Sequence, residues 1–456
     1  MSNSNDANIW TKDPDAAFRE ASDRVAALGK TLLTSHVLDL SDLRALERLP
    51  TMNGAEDLQS LTLDNTRIVD LGPIRGAPKL SNLSFRRTPV SDITQLAELA
   101  LLEKVDASHS NVEDLASLAS CKKLSSIDLW DTKVSSIESL AQLQELESLT
   151  LWDTTVSDLS PITGLPKLKW LDLENTSVTD ANPIVSLPVL DVLYISGTKF
   201  ADYLWLSKLH ELVGLGISRT KISGLDMISE LTKLEWIIAA KCNIGDLSTL
   251  SHLTNLKRLE INGNPVSDIS PIRLLVNLNL LDISDTHVAN LLPLARNLGL
   301  LNELQKNPMR RGLQFANCPV GDLTLREFSK LKNPERTIGT LNYIRDKVGL
   351  PPVDGSNLDS KIGSNLAANA SVEDLIGSLA QDRHGARPVR IADQFVFAPS
   401  GDLADEAVVD ESIAIQLHGE TIRKLPALSR VQTHKVHHTM AATRHTDARK
   451  FLANLS

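Results

Sequence analysis

The sequence predicts an α/β solenoid with a parallel β-sheet on its concave face, short 3-10 or α-helical segments on its convex face, and a helical cap at each end. Three observations predict it. A Leu-x-Leu pair, first complete at Leu61 and Leu63, recurs every 22 residues. A small polar residue follows each pair at a fixed distance, as at Thr66, and an Asp-Leu step follows that, as at Asp70-Leu71. At 456 residues the chain is long for one globular core, which favours either several domains or a repeating array.

The period is read by register. The pattern Leu61, Leu63, Thr66, Ile68, Leu71, Ile74 returns with its first position at Leu83, Val105, Ile127, Leu149, Leu171, Leu193, Leu215, Ile237, Leu259 and Leu281. Another turn begins at Leu313 after an insertion of ten residues, and Leu38-Asp39-Leu40 opens a partial first turn. Alternation within each pair makes a short strand with one face to the core and one to solvent. Successive strands then pair in parallel about 4.8 Å apart, so the concave face extends on the order of 50–60 Å. One turn cannot bury its own leucines, so stacking supplies the stability and the two ends need caps.

Two further columns read as scaffold. Thr66, Thr88, Thr132, Thr154, Thr176, Thr198, Thr220 and Thr286 follow their strands, with Ser110, Cys242, Asn264 and Cys318 in the same position elsewhere. A small polar side chain there is expected to bond an otherwise unpaired backbone group of the turn. Cys242 and Cys318 are therefore expected to be structural. Asp70, Asp92, Asp114, Asp158, Asp180, Asp202, Asp246, Asp268 and Asp322 precede the convex segments and read as their N-caps, not as a metal or acid/base site.

The element Leu-x-x-Leu-x-Leu-x-x-Thr-x-Val-x-Asp-Leu-x-Pro-Ile, clearest over residues 146–162 and 168–184, resembles the 22-residue class of leucine-rich repeat. Bacterial internalins and a eukaryotic phosphatase-1 regulator carry that class. The resemblance covers about residues 38–330 and implies a solenoid that binds proteins. Departures from relatives narrow it further. No cysteine lies beyond Cys318, which removes the catalytic thiol of repeat-bearing ubiquitin ligases, and no Walker-type phosphate loop occurs.

The flanks complete the organisation. Asp13-Pro14 starts a helix with Phe18, Val25 and Leu28 on one face, placing an N-terminal helical cap in residues 1–37. The repeats occupy residues 38–330. Asn333-Pro334 starts a capping helix in residues 331–350, with Ile338, Leu341, Ile344 and Val348 on one face and Gly349 as its stop. A Gly/Ser/Asn/Pro-rich linker is expected over residues 351–370. Within residues 371–456, a short helix is expected over 372–380, β structure over 389–397, and a helix over 405–425.

The formal charge of -10 argues against general nucleic-acid binding and favours a basic partner. Residues 421–456 reverse this sign: Arg423, Lys424, Arg430, Lys435, Arg444, Arg449 and Lys450 face only Asp447. This basic, His-rich tail is a candidate to dock on the concave groove. His434 and His438 have a chelating spacing but no supporting carboxylates, so no metal or other cofactor is expected. No apolar run of about 18 or more residues is present, and residues 1–15 carry no apolar stretch after a basic start. With three widely spaced cysteines, a cytoplasmic protein without membrane insertion is expected, and export through such an N-terminus stays open as an alternative.

The expected partner site is aromatic and acidic. Aromatics are 4% of the chain, yet Trp130 and Trp152 share the column just after the second leucine, and Trp170 and Trp236 share the column just before the first. Tyr194 lies between the two core positions of its own strand. Around them stand Asp106, Asp128, Asp131, Asp153, Asp172 and Glu174. Aromatics rimmed by charge have the composition of an interface hot spot. The competing account is that the tryptophans merely cover the sheet. A non-enzymatic interaction module is favoured over an exported effector acting on host proteins, and over an enzyme with its chemistry in residues 351–456.

Overall fold

The computed structural model describes residues 11–28, 36–302, 304 and 311–353, together with four short backbone segments between 387 and 422. The chain divides into two compact units, Met1–Ser360 and Lys361–Ser456. The first unit carries one 13-stranded sheet in strict sequence order. Its strands are β1 (Val37–Asp39), β2 (Ser60–Thr62), β3 (Asn82–Ser84), β4 (Lys104–Asp106), β5 (Ser126–Asp128), β6 (Ser148–Thr150) and β7 (Trp170–Asp172), followed by β8 (Val192–Tyr194), β9 (Gly214–Gly216), β10 (Trp236–Ile238), β11 (Arg258–Glu260), β12 (Leu280–Asp282) and β13 (Gly312–Gln314). Neighbours pair in parallel with no register slip: Leu149 lies opposite Leu171, and Leu171 opposite Leu193. Slipping by one residue would turn every core leucine to solvent, so the alternation itself fixes the register.

Each turn returns along the other side through a short 3-10 segment, such as Gly72–Gly76, Ser160–Ile162 or Ser248–His252, and once through a single α-turn, α2 (Asn182–Val185). The core is a stack of equivalent side chains. In one turn Leu149, Leu151, Val156, Leu159, Ile162, Leu165 and Leu168 are all buried, and their counterparts in the next turn sit on top of them. This continuous apolar column, worth on the order of 1.5–3 kcal/mol per fully buried aliphatic side chain, holds the array together.

The threonine column bonds as expected. Thr66, Thr88, Thr132, Thr154, Thr176, Thr198, Thr220 and Thr286 each donate Oγ1 to the carbonyl three residues back, at 2.5–2.7 Å. The substitutes do equivalent work. Cys242 Sγ lies 3.0 Å from the Ile217 carbonyl and Cys318 Sγ 3.0 Å from that of Ile283. Asn264 donates to Ala239 and Ile261 and accepts from the N–H groups of Cys242 and Ile244.

The aspartate column needs a correction of position. Asp70, Asp92, Asp114, Asp158, Asp180, Asp202, Asp246 and Asp268 stand one residue before the true N-cap, and each accepts the N–H two residues on, at 2.7–3.0 Å. These segments are single turns, and each carboxylate holds the first amide of its turn instead of the second or third. Only Asp322 caps in the sense predicted, accepting from Thr324 and Leu325 at the start of α3 (Leu323–Lys330), an α-helix.

A column that sequence reading missed follows each strand. Asn65, Arg87, His109, Asp131, Asp153, Asn175, Gly197, Arg219, Lys241, Gly263, Asp285 and Asn317 all adopt positive φ, between 52° and 70°. The reversal lets the N–H of this residue continue the ladder, as Asp131 does to the Trp152 carbonyl at 2.9 Å.

Both caps bury part of the predicted face, Val25 in one and Leu341 and Ile344 in the other, together with residues the prediction left out. Helix α1 (Pro14–Leu28) buries Ala16, Ala17, Ala21 and Val25, whereas Phe18 and Leu28 are only half-buried. Small residues bring the helix backbone close to the first turn, and Arg24 then reaches Asp42 with two bonds of 2.7 Å. Helix α4 (Glu335–Lys347) buries Thr337, Thr340, Leu341, Ile344 and Arg345, leaving Ile338 half-buried and Val348 exposed. The reason is polar. The open edge of β13 presents unpaired backbone groups, and Thr337 Oγ1 accepts the Leu313 N–H at 2.9 Å while Arg336 Nε donates to the Leu313 carbonyl at 2.8 Å. Gly349 ends the helix at φ 72°, as read.

In the second unit, β14 (Arg387–Ile391) and β15 (Gln394–Ala398) form one antiparallel pair, and β16 (Ile415–Leu417) and β17 (Glu420–Ile422) another. The first agrees with the β structure expected over 389–397. The second overturns the helix expected over 405–425: Ile415 lies opposite Ile422 and Leu417 opposite Glu420 in an antiparallel pair, a period of two mistaken for a helical one. The linker from residue 354, the helix over 372–380, the pair His434 and His438, and the basic tail from residue 423 lie outside the described residues.

Candidate functional site

The open face of the sheet, opposite the 3-10 turns, presents three columns per turn: the residues before, between and after the paired core positions. Through β2 to β4 these are mostly Ser, Thr, Asn and Asp, as a solvated sheet requires. The pattern changes from β4 to β10.

Trp130 and Trp152 follow β5 and β6 in the same column, and their indoles lie parallel, with ring centroids 4.3 Å apart and planes 1° apart. His109 from the preceding turn lies against Trp130 at a tilt of 58°, with centroids 4.2 Å apart, and its Nδ1 lies 2.7 Å from Asp131 Oδ2. The strand spacing of about 4.8 Å sets this geometry, since equivalent rings on neighbouring turns can only lie face to face. Trp130 Nε1, Trp152 Nε1 and His109 Nε2 have neither solvent contact nor a hydrogen-bond partner. Buried polar groups without partners are costly, at about 1–3 kcal/mol each.

A second aromatic group crosses β7 to β10. Trp170 is 5.4 Å from Tyr194, and Tyr194 is 5.1 Å from Trp236. Between Tyr194 and Trp236 runs β9, whose sequence is Gly214-Leu215-Gly216. A Cβ on Gly214 would lie 1.9 Å from the Trp236 ring, and one on Gly216 would lie 2.4 Å from the Tyr194 ring. The two rings therefore lie over bare backbone, in room that only glycine leaves. Tyr194 and Trp236 are half-buried, and Trp170 is 37% exposed. Part of the competing account is thus correct, because these two rings do cover the sheet. Their outer faces and Trp170 remain at the surface.

The carboxylates fall into two kinds. Asp106, Asp128 and Asp172 project between the paired core positions, and each accepts the N–H two residues ahead: Ser108 at 3.1 Å, Trp130 at 3.0 Å and Glu174 at 3.0 Å. That N–H belongs to the column after the strand, and side chains take it up in other turns as well. Ser218 N, for example, donates to Ser196 Oγ at 3.1 Å. These three aspartates have a scaffold role that sequence reading did not assign. Asp131 and Asp153 belong instead to the positive-φ column and are exposed; Asp153 accepts Asn175 Nδ2 at 2.8 Å.

Neutralisation is uneven along this face. Arg86 lies 3.4 Å from Asp106, and Arg258 is paired with Glu260 on its own strand. Among the described residues Asp128, Asp153, Asp172 and Glu174 form no ion pair. Burial is the main cause that pushes the Asp172 carboxyl up to about 7; the nearby charges of Glu174, Asp128 and Asp153 add to it, and the Glu174 N–H opposes it. Burial likewise raises Asp128, with Asp106 adding, while the Trp130 N–H, Arg86 and His109 pull the other way. The site thus contains an apolar ring surface next to carboxylates that no described cation pairs with.

The three thiols contribute no chemistry here. Cys121 is buried, with Sγ 3.1 Å from the Leu96 carbonyl, and burial raises its thiol to about 11. Burial also raises Cys242 and Cys318. Among the described residues no helix is long and apolar enough to cross a membrane.

Comparison with known proteins agrees with this architecture. The family model for leucine-rich repeats in two copies matches residues 232–274. None of the curated proteins compared with the chain matches it. Among solved structures, an internalin of Listeria monocytogenes is similar over 70% of this chain and 93% of its own, at 22% identity and a TM-score of 0.56. A leucine-rich repeat protein of Leptospira interrogans covers 55% of this chain and 74% of its own, at 23% identity and a TM-score of 0.47. The functional domain of a second Listeria monocytogenes internalin covers 71% and 73%, at 18% identity and a TM-score of 0.49. The likeness is one of fold.

Proposed function

We propose that this leucine-rich repeat protein, whose solenoid resembles that of an internalin, is a non-enzymatic interaction module that binds a protein partner on the open face between β4 and β10. The observation that carries the reading is the gathering of Trp130, Trp152, Trp170, Tyr194 and Trp236 on one face of a chain whose aromatic content is 4%. Rigid aromatic surface loses little conformational entropy when it is covered, and it dominates the energetics of protein interfaces. The carboxylates Asp106, Asp128, Asp131, Asp153, Asp172 and Glu174 around it favour a basic partner. By the same charge argument the basic segment 421–456 is part of the proposal as an intramolecular competitor, and neutralising its Arg and Lys residues would tighten binding of a basic peptide.

We place the protein in the cytoplasm, on the ground that three core-facing thiols suit a reducing compartment. Fractionation with an export assay on the native N-terminus tests that placement.

The binding reading is tested by affinity capture from the source cells, comparing the wild type with Trp130→Ala/Trp152→Ala. The double variant is expected to keep its thermal melt and lose specific partners. An identical partner set from both proteins would refute the open face as the binding site.

A further inference from the structure

The aromatic and acidic halves of the open face meet at one place, and their geometry there restricts what can sit on it. Asp172 on β7 lies directly opposite Tyr194 on β8 in the sheet register. Trp170 flanks the same ring at 5.4 Å, and Glu174 lies two residues beyond Asp172 on the same turn. The described cations nearest in the pattern are already engaged: Arg86 with Asp106, His109 with Asp131, Arg219 with Asn175, and Arg258, which faces the Tyr194 ring, with Glu260. One oxygen of Asp172 is held by the Glu174 N–H, and among the described residues no donor meets the second.

We propose that the partner anchors here through an arginine side chain, its guanidinium laid against the Tyr194 ring and bonded to Asp172 and Glu174. This inference rests on the interaction-module reading and specifies the chemistry of the partner. Three physical points favour a guanidinium over an ammonium. It is planar and can stack on a ring that itself lies over Gly216. Its several donors can serve two carboxylates at once, whereas an ammonium acts as a point charge. It is also less strongly hydrated, so a half-buried seat costs it less. The occupant is an extended basic segment of another protein, since the open face offers a row of exposed positions along successive strands rather than a closed cavity.

Binding should also move a proton. The groups facing Asp172 are Glu174 on its own turn, Asp128 on β5, Asp153 after β6 and Tyr194 on β8, none of them cationic. A guanidinium arriving at this cluster favours the ionised carboxyl. Its binding therefore releases a proton when the pH lies below about 7, and affinity falls as the solution is acidified from there.

The test uses the full chain and short random peptides displayed on phage, selected on the wild type and then re-measured as synthetic peptides by fluorescence anisotropy. The inference expects the selected peptides to share an arginine. Replacing that arginine by citrulline, or the protein's Asp172→Asn or Glu174→Gln, should weaken binding by about tenfold or more at about pH 8, and the Asp172→Asn effect should shrink at about pH 5.5. Peptides that lose affinity for Trp130→Ala/Trp152→Ala but are indifferent to citrulline and to Asp172→Asn would overturn the anchor while leaving the interaction module standing. Peptides indifferent to every substitution on the open face would overturn both. Thermal melts of each variant guard against loss of fold being read as loss of contact.

Discussion

If Asp172 waits uncompensated for a cation, the free protein pays for it in stability, and Asp172→Asn should recover that cost. The folded carboxyl stands at about 7 against an ordinary value of 3.8, so the native state disfavours the ionised form relative to the unfolded chain. The sign follows directly. Below about pH 4 both states hold the proton and the residue costs nothing; the penalty grows as pH rises through that window and is complete above about 7. At 1.36 kcal/mol per pKa unit, the full difference is about 4 kcal/mol, and solvent that still reaches the site reduces it to about 2–4 kcal/mol. Asparagine keeps the acceptor for the Glu174 N–H, bonded at 3.0 Å, so little structural loss offsets the gain. Urea unfolding at about pH 3 and about pH 8 reads the effect: the variant should gain little at the lower pH and about 2–4 kcal/mol at the higher. Because each repeat contacts only its neighbours, amide exchange on β7 supplies a local readout should the array not unfold as one unit. Stability profiles of the two proteins that run parallel across this pH range would refute the reasoning.

Three other perturbations probe the frame that holds the site. Gly214→Ala places a methyl group 1.9 Å from the Trp236 ring, so the indole must swing off the sheet; a red-shifted tryptophan emission and a loss of about 1–3 kcal/mol are expected, and an unchanged spectrum would contradict the glycine slot. Thr154→Val removes the 2.6 Å bond to the Leu151 carbonyl inside the stack, and should cost about 1–2 kcal/mol in denaturant unfolding, with Thr154→Ser restoring most of it. Arg219→Asn replaces a long side chain at φ 58° with one that accepts this conformation more readily, and calorimetry should show a gain of about 0.5–1 kcal/mol.

What the sequence made legible was whatever repeats in side-chain chemistry. Leucine pairs, threonines and aspartates recur because each turn sets the same burial and bonding problem, and a shared solution leaves a visible column. The positive-φ column sets an equally strict problem but accepts many solutions. Asn65, Arg87, Asp131, Gly197 and Lys241 have no functional group in common. What they share is an absence, since no β-branched or large apolar residue appears there, and absence is hard to see without knowing the backbone. The caps were misread for a different reason. Helical spacing marks apolar residues, but α4 turns Thr337 and Arg336 toward the bare edge of β13 to satisfy its backbone groups, a demand that exists only once the sheet is built. The aromatic columns were legible, but the slot beneath Tyr194 and Trp236 was not, because Gly214 and Gly216 belong to a different turn from the rings they receive.

A repeat array offers its own test for separating site from scaffold, and Asp172 shows why that test needs energetics as well as pattern. A feature present in nearly every turn answers a need of the stack; a feature confined to a few adjacent turns does not. By that rule the convex aspartates are scaffold, and the stacked Trp130 and Trp152 are not. Asp172 satisfies both descriptions. It bonds the backbone N–H two residues on, as Asp106 and Asp128 do, yet it alone among these three is held at about 7, with no described cation to relieve it. The N–H that Asp172 accepts can also be served without a charge from the neighbouring turn, as Ser196 Oγ serves Ser218 N. The bond therefore accounts for an acceptor at this position but not for a carboxylate. The carboxylate costs the free protein stability, and a charge that weakens its own fold gains an explanation only from something outside the fold that binds it.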